Sequence, residues 1–236
     1  RHNPSSIFNN QTQASPFVGK RKNDMKKGIF TVVTFLSYVS ARAADIATTD
    51  YFLSGDMSQE ANPLVSVLGF NWEQLLLSNA VISVFLIFIP LYFYWKGHSK
   101  RLSIGHESTL EFASVCIYNT KMEPSKFLRS FLLGWPIWPV PKDFYQTIRL
   151  WGFALPWGVA AGSMMAVFAW WSTWAWSWVI YDEIRASIAI GRYSLVELSI
   201  GYLTFIIASF YFFKSEAKRA NKPLEENSGQ SAVPQP

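Results

Sequence analysis

The sequence is short of charge and nearly empty of metal- or redox-active side chains. Only 16% of its 236 residues are charged, against about 25% in an ordinary soluble domain, too few to cover a surface that faces water. A single cysteine, Cys116, excludes an internal disulfide and any paired-cysteine metal site. With no base suggested beside it, that thiol is read as inert. The three histidines, His2, His98 and His106, stand apart from one another with no carboxylate at ligand spacing, which argues against a histidine metal site. A Gly-rich phosphate loop, a Gly-x-Ser-x-Gly elbow and a His-Glu-x-x-His pair are all missing. Basic residues are also scarce locally: from Gly28 to Trp95 the only Lys or Arg is Arg42. This composition excludes a disordered chain, a coiled coil and a nucleic-acid-binding domain.

Apolar residues are plentiful, at 50% hydrophobic and 17% aromatic. Together with the scarcity of charge, that fixes the solvent as lipid. About 20 apolar residues in a helix cross a hydrocarbon core roughly 30 Å thick, and four stretches qualify: about Gly28 to Leu53, Leu75 to Trp95, a run within Trp151 to Ile180, and Leu195 to Phe213. The first run begins too late and is too long for the apolar region of a cleavable signal, so it is expected to remain as a span.

The net charge of +5 is distributed as a topology signal. Lys20, Arg21, Lys22, Lys26 and Lys27 precede the first span, whereas Ser54 to Gln74 has no Lys or Arg. The connection from Lys96 to Leu150 is basic, including Lys126, Arg129, Lys142 and Arg149; the third loop is balanced; and Lys214, Lys218, Arg219 and Lys222 follow the last span. The positive-inside rule then predicts four spans with both ends cytoplasmic.

The expected architecture is therefore an all-α polytopic membrane protein with an interfacial or re-entrant segment between helices 2 and 3. Its organisation reads as a basic tail over 1–27, a two-helix hairpin over 28–97, a connection over 98–147, a second two-helix unit over 148–213 and a polar tail over 214–236. In the connection, Glu107 to Tyr118 can form a short amphipathic helix with Leu110, Ala113 or Ser114, and Ile117 on one side. Phe127 to Val140, with Trp135 and Trp138 beside Pro136 and Pro139, is apolar but too short to span, and suits the interface or a re-entrant turn. Residues 1–20 and 220–236 are polar and of a composition that is normally disordered.

Three constellations stand out. Arg42, Asp45 and Thr49 share one helical face late in the first span, where an intramembrane carboxylate costs about 2.5–3.5 kcal/mol and marks a candidate functional site. Asp45 lies about 26 Å along the axis from Gly28, near the far interface. The plainer reading is an internally neutralised pair that fixes helix register. Past it, Gly55 can stop the first helix, and Asn62-Pro63 reads as an N-cap followed by proline at the first helical position.

The third span carries Ala154, Gly158, Gly162 and Ala166 at four-residue steps, a small-residue face that lets another helix approach closely. Ser37, Ala41 and Ala44 form a similar face on the first span, so these two are expected to pack together. Trp170, Trp171, Trp174, Trp176 and Trp178 crowd the end of the third span. They suit an interfacial belt, or an aromatic surface able to receive a partner subunit, a lipid, a quinone or a pigment.

Asp45-x-x-Thr48-Thr49, a glycine at 55 and Glu60-Ala61-Asn62-Pro63 before a long apolar span resemble an uncharacterised family of small prokaryotic multi-span membrane proteins. The resemblance covers roughly residues 35–97. It implies a multi-span membrane protein without an assigned activity, whose marked positions would be Asp45, Thr48, Thr49, Glu60, Asn62 and Pro63. It also favours a bacterial inner membrane, an organellar inner membrane being the alternative.

Taken together, these features lead to an expected non-catalytic subunit of a larger membrane complex, respiratory or photosynthetic. Its expected partners are the lipid bilayer and other membrane subunits, with no nucleic acid, no metal and no obligatory cofactor. A homo-oligomeric transporter or ion-coupled protein using Asp45 and Arg42 is the first alternative. An intramembrane lipid-modifying enzyme is the second.

Overall fold

The computed structural model describes residues 16–54, 62–98, 108–133, 140–175, 183, 189–190 and 193–230, with the backbone alone at 16–24, 63, 66, 174–175, 189–190, 193–194 and 221–230. The described residues are almost entirely helical, and among them four helices are long and apolar enough to cross a membrane. In chain order, α1 is Pro16–Leu53, α2 the single turn Pro63–Ser66, and α3 Trp72–Lys96. Next come α4 (Thr109–Tyr118), α5 (Pro124–Leu133), α6 (Phe144–Trp170, extended by a π turn over Trp171–Ala175) and α7 (Leu195–Gln230). Among the described residues the only β pairing is a short antiparallel contact of Ala189–Ile190 with Tyr193–Ser194 just before α7.

Large apolar side chains such as Leu77, Phe85 and Ile207 stand exposed along the spans. In water they would be a liability; against hydrocarbon they need no cover. The span within α6 has 39% of its most apolar window buried, compared with 17–22% for the other three, which makes α6 the central helix. The backbones of α3 and α6 meet where Gly152 lies under the Pro90 carbonyl, and those of α6 and α7 meet where Gly158 faces Gly201.

The first and third spans do pack together, but through Phe30 stacked on Phe153 (4.5 Å between centroids) and through Arg42 with Ser163. The small-residue ladder faces α7 instead: Gly158 meets Gly201 and Phe205, and Gly162 meets the Glu197 carbonyl. Ladder spacing identifies a face that tolerates close approach, and it is silent on which helix arrives.

The third helix also starts earlier than expected, at Phe144, capped by the Asp143 side chain accepting from the Gln146 amide. Arg149 thus belongs to its second turn, fully buried, and not to the basic connection. Polar sequence likewise continues two helices past the membrane. Helix α1 begins at Pro16 and α7 runs to Gln230, because Lys, Arg, Glu and Ala propagate a helix readily. Residues 1–15 and 231–236 of the expected tails lie outside the described residues.

The first helix stops at Ser54, in the left-handed region at φ 47°, with its amide donating to the Asp50 carbonyl. Gly55, the expected stop, lies outside the described residues. Asn62 does cap α2, its side chain accepting from the Leu64 amide at 3.0 Å. That helix lasts one turn before Gly69 (φ 69°) reverses the chain, and Asn71 with Gln74 caps α3 anew through reciprocal hydrogen bonds.

Between the two pairs of spans, α4 is enclosed on nearly every side, with Phe112, Ala113, Ser114 and Ile117 all buried. The one-sided helix expected there is a core element, because α5, α6 and α7 all pack around it. Glu111 on it forms an ion pair with Lys121. Helix α5 lays Phe127 and Phe131 against the same core. Trp135, Pro136, Trp138 and Pro139 lie outside the described residues.

Tyr118 ends α4 with its hydroxyl buried and without a hydrogen-bond partner. Burial pushes this phenol from 10.0 up to about 12. The folded protein therefore holds the proton more tightly than the unfolded chain, and this contribution to stability is intact below pH 10 and lost as pH rises through 12. Tyr118→Phe should keep the edge contact with Phe127 (6.2 Å), leave stability at pH 7 unchanged or raise it by about 1 kcal/mol, and reduce the loss between pH 10 and 12. Unfolding followed in mixed micelles at pH 7, 10 and 12 would check this.

Candidate functional site

Four antiparallel spans bring their basic ends together. Lys27 donates to the Gly97 carbonyl, joining the start of α1 to the end of α3, and Arg149 meets Glu216, joining the start of α6 to α7. The Arg42–Asp45 constellation therefore sits toward the opposite end, where α1, α3 and α6 converge.

Arg42 Nη1 donates to Asp45 Oδ2 at 2.5 Å and to Ser163 Oγ at 3.0 Å, and its Nη2 donates to Asn79 Oδ1 at 2.7 Å. The Asn79 amide is held in turn, since its Nδ2 donates to the Leu75 carbonyl one turn back. One turn further along α3, Ser83 donates to the Asn79 carbonyl and shares a hydrogen bond with the Tyr38 hydroxyl. Three spans are thereby joined through one guanidinium, and the cluster carries no net charge.

Beside the pair lies a polar cavity of about 70 Å³ lined by Arg42, Asp45, Ile46, Thr49, Asn62, Trp72, Leu75, Leu76 and Asn79. That volume accommodates several waters or one small ion with part of its hydration shell. The pair is not sealed: the Arg42 and Asp45 side chains keep 22% and 15% of their exposure. A guanidinium and a carboxylate facing shared polar space can exchange partners with an entering ion or proton. A fully enclosed pair could do so only at a large desolvation cost.

Of the residues singled out from the sequence, Arg42, Asp45, Thr49 and Asn62 come together on this cavity. Thr48 is half-buried on α1 and does not line it. Pro63 opens α2, its side chain beyond the described atoms, and Glu60 lies outside the described residues. Asn79, Trp72 and Ser163 were not singled out. For Asn79 and Ser163 a signal existed, a polar side chain inside an apolar span that needs a partner across helices. Trp72 carried none, since a tryptophan at a helix start reads as an interface residue.

Ala154 is buried in the core, and Ala166 is half-buried. Of the tryptophans, Trp170 stacks on Phe52 at 5.9 Å, while Trp171 stacks on Tyr51 and meets Phe52 edge-on. These two join α6 to the end of α1, which makes them internal in part. Trp174 falls in the π turn by its backbone, and Trp176 and Trp178 lie outside the described residues. Among the described residues no group of three or more His, Cys, Asp or Glu could hold a metal ion.

No family model, no curated protein and no solved structure matches this chain.

Proposed function

We propose that the protein is a small ion-coupled or polar-solute-handling membrane protein that acts as a homo-oligomer, with Arg42 and Asp45 as its working pair. One observation carries the reading. Asp45, Thr49 and Asn62, separated along the chain by the turn between two spans, converge with Arg42 and Asn79 on one polar cavity inside an otherwise apolar bundle. Asp45 either pairs with Arg42 or takes up a proton or cation, and in the second state Arg42 remains held by Asn79 and Ser163. Basic flanks on alternate segments support both termini inside, so the cavity would open toward the outer face, and the family resemblance favours a bacterial inner membrane.

The test is Asp45→Asn in proteoliposomes, read by a pH-sensitive dye inside the vesicle and a potential-sensitive dye outside. The expected result is wild-type ion movement reduced at least tenfold in the variant, with helical content unchanged. Equal flux in variant and wild type, or no flux in either, overturns the reading.

A second reading, a structural subunit of a membrane complex, is favoured by the aromatic plate at the same end. Tyr51 and Trp171 are stacked yet 69% and 41% exposed, a surface suited to a neighbouring subunit, a quinone or a pigment. Co-purification of a stoichiometric partner in mild detergent, lost on Tyr51→Ala with Trp171→Ala, would support that reading over the first.

A further inference from the structure

We propose that α5 forms a wedge sunk in the leaflet at the basic end of the bundle, with the stretch Val140–Tyr145 at its shoulder, and that together they take anionic phospholipid headgroups on Lys126, Arg129 and Lys142. This inference does not depend on the ion-coupling reading.

The first support is depth. The Tyr202 hydroxyl donates to the Leu132 carbonyl at 2.5 Å, one of the four carbonyls that the end of α5 leaves without a helical partner. Tyr202 lies about 18 Å along α7 from Lys214, the first basic residue at that end. Allowing for the reach of a tyrosine, the end of α5 lies about 10 Å or more below the level of Lys214. Phe131 agrees, packing against Phe205, Phe210 and Phe213 of α7. A helix end at this depth meets little water, and its carbonyls need a partner from the protein.

The second support is the sequence of polarity on the free face. Lys126, Arg129 and Leu133 share one stripe of α5, opposite the buried Phe127 and Phe131. Along that stripe, cation gives way to apolar in the direction of increasing depth, and Leu133 ends it at 79% exposed. The other limb stands at the upper level: Phe144 lies about 21 Å along α6 from the Gly158–Gly201 contact, as Lys214 lies about 20 Å along α7 from it. Val140 is 67% and Phe144 66% exposed, with Lys142 exposed between them. The shoulders of both limbs meet at one level, because Lys142 donates its amide to the Ile117 carbonyl and Phe127 rests on Tyr118 at the end of the same helix. One exposed apolar tip, Leu133, below three exposed cations matches the acyl chains and the anionic headgroups of a single leaflet.

The full chain in nanodiscs of mixed phosphatidylglycerol and phosphatidylcholine tests this. The preference for phosphatidylglycerol should fall about fivefold for each charge removed in Lys126→Gln, Arg129→Gln and Lys142→Gln, and should persist in Lys126→Arg. A fluorophore on Leu133→Cys, with Cys116 buried, should be quenched by nitroxide on lipid acyl chains and protected from aqueous iodide. Unchanged lipid preference in the triple glutamine variant overturns the proposal. So does iodide quenching at position 133, and so does protection from both quenchers, which would mean that protein covers the wedge.

Discussion

Replacing Glu216 by alanine is expected to cost about 3–5 kcal/mol of stability, because it strands a buried guanidinium. Arg149 is fully buried and Glu216 nearly so, and both terminal nitrogens of Arg149 reach Glu216 Oε2 at 3.2 Å. Without Glu216, Arg149 keeps among the described residues only the Gln146 side chain at 2.8 Å and the face of the Phe212 ring, neither of which carries charge. Water cannot substitute, because α3, α6 and α7 enclose the site and Gly97 lies directly against the Arg149 stem. Glu216→Gln retains an acceptor and should cost less. The double replacement Arg149→Met with Glu216→Met removes the stranded charge and should recover most of the loss. Reversible unfolding in mixed micelles would rank the three variants. Similar values for Glu216→Ala and the double variant would show that packing, not charge, dominates there.

The two arginine–carboxylate pairs differ in enclosure. Arg149–Glu216 is closed, reinforced by Arg219 donating to Glu216 Oε1 at 2.7 Å, and joins spans permanently. Arg42–Asp45 is partly open and borders a cavity, so its carboxylate has somewhere else to go.

Much of this was legible in the sequence, and the boundary is instructive. Hydropathy length and the absence of Lys and Arg over 54–74 reveal four spans because lipid punishes exceptions. The i, i+3, i+7 spacing places Arg42, Asp45 and Thr49 on one face because helical period is local. What failed needed the third dimension. Arg149 read as a loop cation, since its partner Glu216 stands a whole span away and composition alone cannot bury a charge. The Gly158 ladder named a contact without naming Gly201 across it. The helix over 109–118 looked amphipathic on one side because nothing in its own residues announces that three other helices enclose it. Asn79 is a polar residue in an apolar run that was not singled out, and its meaning comes only from Arg42 opposite.

Gly152→Ala should rival the loss of Glu216 and act by a different route. A Cβ on Gly152 would stand 2.0 Å from the Pro90 carbonyl oxygen and 2.7 Å from the Leu91 amide nitrogen. These are backbone atoms of a packed span, so no side chain can turn away and α3 must shift from α6. Forcing one methyl into a packed contact typically costs about 1–3 kcal/mol, and a clash with the backbone of a neighbouring span belongs at or above the top of that range. The glycines of the α6–α7 contact calibrate the effect. At Gly158 the nearest backbone atom would be 2.8 Å away and at Gly162 3.4 Å, so the expected order of cost is Gly152→Ala, then Gly158→Ala, then Gly162→Ala with almost none. Thermal unfolding of the three variants in one detergent gives the order directly. A shift of α3 would also move Asn79 relative to Ser163, the two residues that hold Arg42 from opposite helices. Gly152→Ala should therefore impair any ion movement through the Arg42–Asp45 pair even in the fraction that stays folded, whereas Gly162→Ala should leave it intact.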